Sequence, residues 1–163
     1  MKVLAIDPSG NYGREGMGTT GWCLMEDGEI MELGEIKASD FKDELRYWME
    51  HDKLIIDSEP DHVVIEGYKL YNHKGKEAKL QSNSELQTPQ LIGILKYCCF
   101  IEGITYTIQF ASEVKTRWNE ELLARQGYLD KKANRYYFDG KPTSQHKRDA
   151  MKHALHYWRY KRK

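Results

Sequence analysis

The sequence has few cysteines and no long apolar run, and each of these absences argues against a class of protein. Three cysteines occur in 163 residues, and none has the Cys-x-x-Cys spacing of a zinc cage or disulfide framework. No apolar run approaches the roughly 20 residues that span a bilayer. Asp7 ends the first apolar run too early for a secretion signal. We therefore expect an intracellular, cytoplasmic protein without a membrane partner.

The zero net charge conceals a strong segregation of charge along the chain. Residues 1–66 carry 6 Lys/Arg and 16 Asp/Glu, whereas residues 131–163 carry 11 and 2. A basic segment beside an acidic half can bind a polyanion while the acids bind cations elsewhere. A solvated charged tail would have the same composition, so charge alone does not decide between the two interpretations.

Hydrophobic patterning predicts one α/β domain over residues 1–159, followed by a basic tail at 160–163. Two strand-like runs separated by a Glu-Asp-Gly turn follow the first strand, and strands and helices alternate afterwards. This order predicts a mixed sheet with helices on both faces, in which the first and fourth strands are parallel neighbours. The predicted strands are 2–7, 19–25, 29–36, 61–66 and 104–110, and the predicted helices are 40–57, 84–102, 111–126 and 145–159.

Other features of this pattern predict helix ends and connections. Ser39 or Asp40 is expected to cap the first helix. Pro89 is expected either to lie in the first turn of the second helix or to mark its true start. The second helix is apolar on more than one face, so it is either a dimer interface or a central buried helix. Residues 67–83 and 127–144 are polar or basic and are predicted to be loops.

Three carboxylates stand at the ends of apolar segments, where charge is costly without a partner. Asp7 ends the first strand, Glu66 ends the fourth, and Asp149 opens the last helix with His146 three residues before it. Taken singly, each acid could start a turn, end an exposed strand or pair on a helix surface. Together they match the oxygen ligands of Mg²⁺ or Mn²⁺, and two such ions per site can promote phosphodiester hydrolysis. His146 could orient the attacking water, deprotonate it, or bind a metal.

An ordered set of short motifs resembles the RuvC-type Holliday junction resolvases of the ribonuclease H-like superfamily, and the compact chain is similar to phage-encoded members. The motifs are Ala5-Ile6-Asp7-Pro8, Thr20-Gly21-Trp22, Val64-Ile65-Glu66 and His146-Lys147-Arg148-Asp149-Ala150. The resemblance implies a five-stranded mixed sheet, with three antiparallel strands and then two parallel ones. It also implies that Asp7, Glu66 and Asp149 bind metal and that His146 occupies the fourth site position.

The same resemblance implies DNA contacts and a homodimer, because two opposed cuts need two active sites. Lys115 matches the lysine that contacts the DNA backbone near the cut. The junction-probing aromatic residue of the family is replaced by Lys69, with Tyr68 and Tyr71 nearby. Lysines can neutralise phosphates while tyrosines stack on unpaired bases. The expected DNA-binding residues are Tyr68, Lys69, Tyr71, Lys74, Lys76 and Lys115.

These features lead us to expect a metal-dependent, structure-selective endonuclease that cleaves Holliday junctions and other branched DNA. Two alternatives stay open: a ribonuclease H-like nuclease that acts on RNA–DNA hybrids or flaps, and a junction-binding protein without turnover. An ATPase of the actin and sugar-kinase superfamily also has an early strand-end acid. It needs two domains, however, for which 163 residues leave no room.

Overall fold

The described part of the chain folds around one central sheet, with a small second sheet before the last helix. The computed structural model describes residues 1–70 and 85–162. The elements are β1 Lys2–Asp7, β2 Thr19–Glu26, β3 Glu29–Lys37, a 3-10 turn Ala38–Asp40, α1 Glu44–Ser58, β4 His62–Gly67, α2 Gln87–Ile101, β5 Thr105–Phe110, α3 Ala111–Lys115, α4 Glu120–Arg125, β6 Asp130–Lys132, β7 Arg135–Phe138, β8 Lys141–Pro142 and α5 Gln145–Tyr160.

The central sheet has the strand order β3-β2-β1-β4-β5. Strand β2 is antiparallel to both of its neighbours, β1 and β3. Strands β4 and β5 run parallel to β1. This arrangement confirms the predicted mixed five-stranded sheet and the pairing of the first and fourth strands. Since parallel neighbours end at the same edge, the carboxyl ends of β1 and β4 lie side by side.

Side chains of the central strands alternate between two hydrophobic cores, one on each face of the sheet. Val3 and Ala5 pack with α3, α4 and α5 on one face. Leu4 and Ile6 pack with α1 and α2 on the other. The two-residue period of a strand therefore directs Asp7 toward the α5 side. The same period directs Glu66 to that side, because Val64 belongs to the α5 core.

The first helix begins later than the sequence pattern indicates. Asp43 caps α1, with its carboxylate accepting a hydrogen bond from the Arg46 amide at 2.9 Å, so the predicted cap at Ser39 or Asp40 is wrong. Those two residues form the 3-10 turn instead. The buried face of α1 is only partly apolar, because it includes Tyr47 and His51 as well as Trp48 and Ile55.

Two further predictions about the second half of the chain are wrong. The predicted helix 111–126 is broken, because Asn119 accepts a hydrogen bond from Leu122 and caps a new helix, α4. Residues 127–144 are not a loop: they form the three-stranded sheet β6-β7-β8. Asp139 and Gly140 have positive φ angles and turn the chain between β7 and β8.

Helix α2 is buried on one face only. The buried face packs into the core that contains Leu4 and Ile6 of β1, and it consists of Leu91, Leu95, Cys98 and Cys99. Ile101, near the end of the helix, is exposed. Pro89 lies in the first turn, as predicted. None of the described helices, α2 included, combines the length and apolar character needed to cross a membrane.

Candidate active site

Two of the predicted acids lie next to each other at the carboxyl edge of the sheet. Ile6 of β1 is in register with Ile65 of β4, so Asp7 and Glu66 follow on neighbouring strands. Both side chains face α5 and are largely buried, with 18% of Asp7 and 22% of Glu66 exposed. The tips of β1 and β4 thus bring together two carboxylates from segments that are far apart in the sequence.

The loop that follows Asp7 is fixed against the helices on the opposite face. The Tyr47 hydroxyl donates to the carbonyl oxygen of Ser9, and the Trp48 indole donates to that of Gly10 at 3.0 Å. From α2, the Thr88 hydroxyl accepts the Gly10 amide at 3.0 Å. These contacts hold the long turn in place and so support the position of Asp7.

His146 reaches Asp7 from the first turn of α5. Its Nδ1 lies 3.3 Å from Asp7 Oδ2, and the Ser144 hydroxyl caps the helix by accepting the Lys147 amide at 3.2 Å. Helix α5 approaches the sheet closely because β2 has glycine at position 21: a Cβ there would lie 2.1 Å from the His146 carbonyl oxygen. The hydrogen bond with Asp7 raises the pKa of His146 above its ordinary value.

Two other carboxylates, Glu66 and Asp149, lie close enough to Asp7 to affect the pKa of its carboxyl group. Burial raises the pKa of Asp7 to about 6, the hydrogen bond from His146 opposes that rise, and the negative charges of Glu66 and Asp149 add to it. The effect of both neighbouring acids on Asp7 places the three carboxylates within electrostatic range of one another. Such a site has an unfavourable concentration of negative charge that a bound cation would relieve.

Asp149 lies on α5 one turn after His146, and its carboxylate is held by protein donors. The Gln145 amide and the Lys152 ammonium both contact Asp149 Oδ1 at 2.8 Å. Lys152 also contacts Glu120 Oε1 at 2.6 Å. Burial favours the neutral acid at Glu120, but hydrogen bonds, led by that from Lys152, outweigh it and lower the pKa of Glu120 to about 2. The Lys152 side chain is only 5% exposed.

Glu66 and Asp149 border the same crevice between β4 and α5. Val114, Lys115, Lys152 and His153 complete its walls, with Ala111. The structure thus places all four predicted site residues at one corner: His146 contacts Asp7 directly, Glu66 adjoins Asp7, and Asp149 faces Glu66 across the crevice. The exposed Lys115 stands at the rim of this corner.

The donor set suits a hard divalent cation, although the side chains are not gathered around one point. Within residues 1–70 and 85–162, no three His, Cys, Asp or Glu side chains are grouped closely enough to hold a metal ion. Each of the three acids accepts hydrogen bonds through one oxygen only: Asp7 Oδ2, Glu66 Oε2 and Asp149 Oδ1. In the described structure, the second oxygen of each acid accepts no hydrogen bond, so it can bind Mg²⁺ or Mn²⁺.

Apart from Lys115, the predicted DNA-binding residues fall into two groups. Tyr68 and Lys69 follow β4 and line a crevice of about 180 Å³ next to Glu66, together with Phe110. The Lys69 ammonium lies 4.1 Å from the centroid of the Phe110 ring, a cation–π contact. The remaining predicted residues, Tyr71, Lys74 and Lys76, lie outside the described part of the chain.

Three residues at this corner were not predicted from the sequence. His153 donates from Nε2 to Glu66 Oε2 at 3.0 Å, and Lys152 and Glu120 form the ion pair beside Asp149. The helical spacing contained a signal for His153, because it follows Asp149 by four residues and so shares its face of α5. Glu120 carried no such signal, since it belongs to a different helix.

Comparisons with known proteins identify the fold. The chain matches a Thermus thermophilus RuvC in complex with a Holliday junction substrate at a TM-score of 0.66, with 16% identity over 97% of this chain and 93% of that one. A second Thermus thermophilus RuvC structure gives 0.63 and 16% over 97% and 94%. No protein-family model and no curated protein matches the chain. The likeness establishes that this chain has the RuvC fold of the ribonuclease H-like type, as the sequence predicted.

Proposed function

We propose that this protein is a metal-dependent, structure-selective endonuclease that cleaves four-way junctions and other branched DNA, and that it acts in DNA recombination and repair. One observation carries the proposal: Asp7, Glu66, His146 and Asp149 lie at one corner of the fold, beside the carboxyl ends of β1 and β4. A protein of the same fold has been solved with a Holliday junction substrate. The grouping of these four side chains is stronger support for this function than the fold is, because proteins of one fold can have different functions.

Each of the four residues would have a specific role in phosphodiester hydrolysis. Asp7, Glu66 and Asp149 would hold one or two Mg²⁺ or Mn²⁺ ions through their free oxygens. Bound divalent cations supply an activated water and neutralise charge on the phosphate in such reactions. His146, 45% exposed and hydrogen-bonded to Asp7, would orient the attacking water and accept its proton. We expect the water to attack in line and to leave a 5′-phosphate end.

The surroundings of the acids supply positive charge and aromatic surface for DNA. Lys115 at the rim of the Glu66–Asp149 crevice would neutralise a backbone phosphate near the cut. Tyr68, Lys69 and Phe110 line the crevice on the other side of Glu66. An unpaired base at a branch point could stack there, because aromatic faces bind any base. Tyr71, Lys74 and Lys76, which lie outside the described residues, are proposed to contact DNA as well.

We further propose that the protein acts as a homodimer through the outer face of α2. Tyr97 and Phe100 are 65% and 77% exposed there, and the neighbouring Ile101 is 58% exposed. Covering these exposed apolar side chains with a second copy of the protein would remove them from water and so stabilise a dimer. Sedimentation of the purified protein should give a dimer, and Phe100→Glu should give a monomer. A wild-type monomer at micromolar concentration would contradict this part of the proposal.

The nuclease proposal can be tested with four substrates in parallel. Purified protein would be given a four-way junction, a three-way junction, a flap and an RNA–DNA hybrid, each with Mg²⁺, with Mn²⁺ or with EDTA. We expect nicks near the crossover of the four-way junction that require the metal. Preferred cleavage of the hybrid or the flap would favour the alternative nuclease.

An active-site variant separates cutting from binding. Asp7→Asn should abolish nicking but retain junction binding in a gel-shift assay, because it removes a metal-binding charge without changing the shape of the side chain. Asp57→Asn, at the exposed end of α1, is the matched control and should cut like the wild type. If Asp7→Asn cut as fast as Asp57→Asn, the proposed site would be wrong. Binding without any cutting by the wild type would indicate a junction-binding protein.

A further inference from the structure

We propose that His153, held by Gln109, is a positioning residue that fixes the Glu66 carboxylate for cation binding. This inference rests on the proposed function, since it assigns a role within the same site. His153 and Gln109 are both buried in the interior next to Glu66. Neither residue belongs to the set of three acids and one histidine, Asp7, Glu66, Asp149 and His146, by which the site was recognised.

The register of the sheet brings the three side chains together. Glu66 on β4 is paired with Gln109 on the neighbouring strand β5. His153 of α5 lies across this pair, with Nε2 3.0 Å from Glu66 Oε2 and Nδ1 3.1 Å from Gln109 Oε1. His153 is 2% exposed and Gln109 is fully buried. Three elements of the fold therefore meet at one hydrogen-bonded chain of side chains.

The hydrogen bonds that link Glu66, His153 and Gln109 determine which nitrogen of the His153 ring carries a proton. A carboxylate oxygen can only accept, so His153 Nε2 must be the donor to Glu66. In a neutral ring Nδ1 is then an acceptor, and it needs a donor from Gln109. Turning the Gln109 side-chain amide over supplies its NH₂ to Nδ1. The same turn gives a partner to Gln109 Nε2, which is otherwise a buried atom without a hydrogen bond in the described structure.

The consequence for Glu66 is that one of its oxygens is fixed while the other stays free. A glutamate side chain at the end of a strand has several rotamers, so a carboxylate without a hydrogen bond can occupy several positions. Hydrogen bonds to the carboxylates that bind a metal orient them and affect metal affinity. By holding Oε2, His153 directs Oε1 toward the common site and lowers the entropy lost when a cation binds.

One turn further along α5, His156 provides the matched comparison. It is also buried, at 3% exposure, but its Nδ1 has no hydrogen-bond partner within the described residues and it contacts none of the site acids. Its ring packs near Tyr160 instead, with centroids 5.1 Å apart. Replacement of His156 thus reproduces the loss of a buried imidazole from the same helix without removing a contact to Glu66.

The experiment measures Mn²⁺ binding by isothermal titration calorimetry and junction nicking under single-turnover and steady-state conditions. His153→Leu should weaken Mn²⁺ binding about 10- to 100-fold and lower kcat by a similar factor, with KM for the junction unchanged. His153→Gln should restore most of both, since its amide can donate to Glu66 as Nε2 does. His156→Leu should bind Mn²⁺ like the wild type. Circular dichroism and urea unfolding would establish that each variant is folded.

If His153→Leu is not folded, Gln109→Met tests the same series of hydrogen bonds, because Gln109 holds His153. This variant should also weaken Mn²⁺ binding. The inference is overturned if a folded His153→Leu or Gln109→Met variant binds Mn²⁺ as tightly as His156→Leu. It is also overturned if the wild type binds no Mn²⁺. A wild type that binds Mn²⁺ but leaves every junction uncut would refute the proposed function, while the comparison of affinities would still decide the role of His153.

Discussion

The main chain of Gly21 on β2 lies directly against the main chain of His146 on α5. A Cβ atom on Gly21 would lie 2.1 Å from the carbonyl oxygen and 2.2 Å from the carbonyl carbon of His146. Gly21 is also the residue in register with Asp7 on β1. The absence of a side chain at this position therefore lets the first turn of α5 approach the sheet closely enough for His146 to reach Asp7.

Gly21→Ala should displace the start of α5 and separate His146 from Asp7. We expect a loss of about 1–3 kcal/mol in the free energy of unfolding, since backbone atoms cannot yield as a flexible side chain can. Junction nicking should fall as well. The matched control is Gly93→Ala in α2, where no described atom outside the adjoining backbone of the helix lies within 4 Å of the added Cβ. That variant should gain about 0.5–1 kcal/mol from higher helix propensity. Equal stability of the two variants would contradict the prediction.

Lys152→Met should be strongly destabilising because it leaves two carboxylates without their shared cation. Lys152 is nearly buried between Asp149 and Glu120, so we expect a loss of about 3 kcal/mol in urea unfolding. Adding Glu120→Gln should recover part of that loss by removing one of the uncompensated charges. Lys53→Met is the control, since Lys53 is exposed on α1 and should change stability by less than about 0.5 kcal/mol. A Lys152→Met protein as stable as Lys53→Met would disprove the buried ion pair.

His51 should make the protein less stable in mild acid. Its Nδ1 donates to the Tyr47 carbonyl oxygen at 3.0 Å and its Nε2 accepts from the Thr20 hydroxyl at 2.8 Å, so the ring is neutral in the folded state. Burial lowers the pKa of His51 to about 4 from an ordinary value of 6.5. Between these pH values the unfolded chain binds more protons. The contribution of His51 to stability is therefore complete above pH 6.5 and is lost as the pH falls toward 4.

The measurement is the free energy of unfolding at pH 7.5 and at pH 5 for the wild type and for His51→Gln. The wild type should lose about 2 kcal/mol more than the variant over this range. Comparison of the two proteins removes the contributions of the other histidines, which both share. Parallel losses in the two proteins would show that His51 is not the group responsible.

Lys115→Ala should weaken binding to every junction sequence alike, because phosphate contacts carry no sequence information. In fluorescence anisotropy with EDTA, the slope of log affinity against log salt concentration should fall by about 1. Lys53→Ala makes the same change of charge on α1, on the other side of the sheet, and should leave the slope unaltered. An unchanged slope for Lys115→Ala would place the DNA elsewhere.

Local chemistry was sufficient to predict most elements and failed where two local signals competed. The short apolar runs around Val3 and Val64 correctly indicated buried strands, because an unbroken apolar run fits a strand that is covered on both faces. Asn119 overrode an apolar pattern by capping a new helix, and Asp139-Gly140 formed a turn within a segment whose composition indicated a loop. The DG pair was the available signal for the small sheet.

The sequence by itself determined the fold and the identity of the four candidate site residues. Asp7, Glu66, His146 and Asp149 stand out because each carries charge or a titratable ring at the edge of an apolar segment, which is a local property. Only the tertiary structure decided which groups surround them. The contact of His153 with Glu66 depends on where α5 crosses the sheet, and the Glu120–Lys152 pair depends on how two helices meet. Contacts of this kind arise from packing between distant segments, which no local pattern encodes.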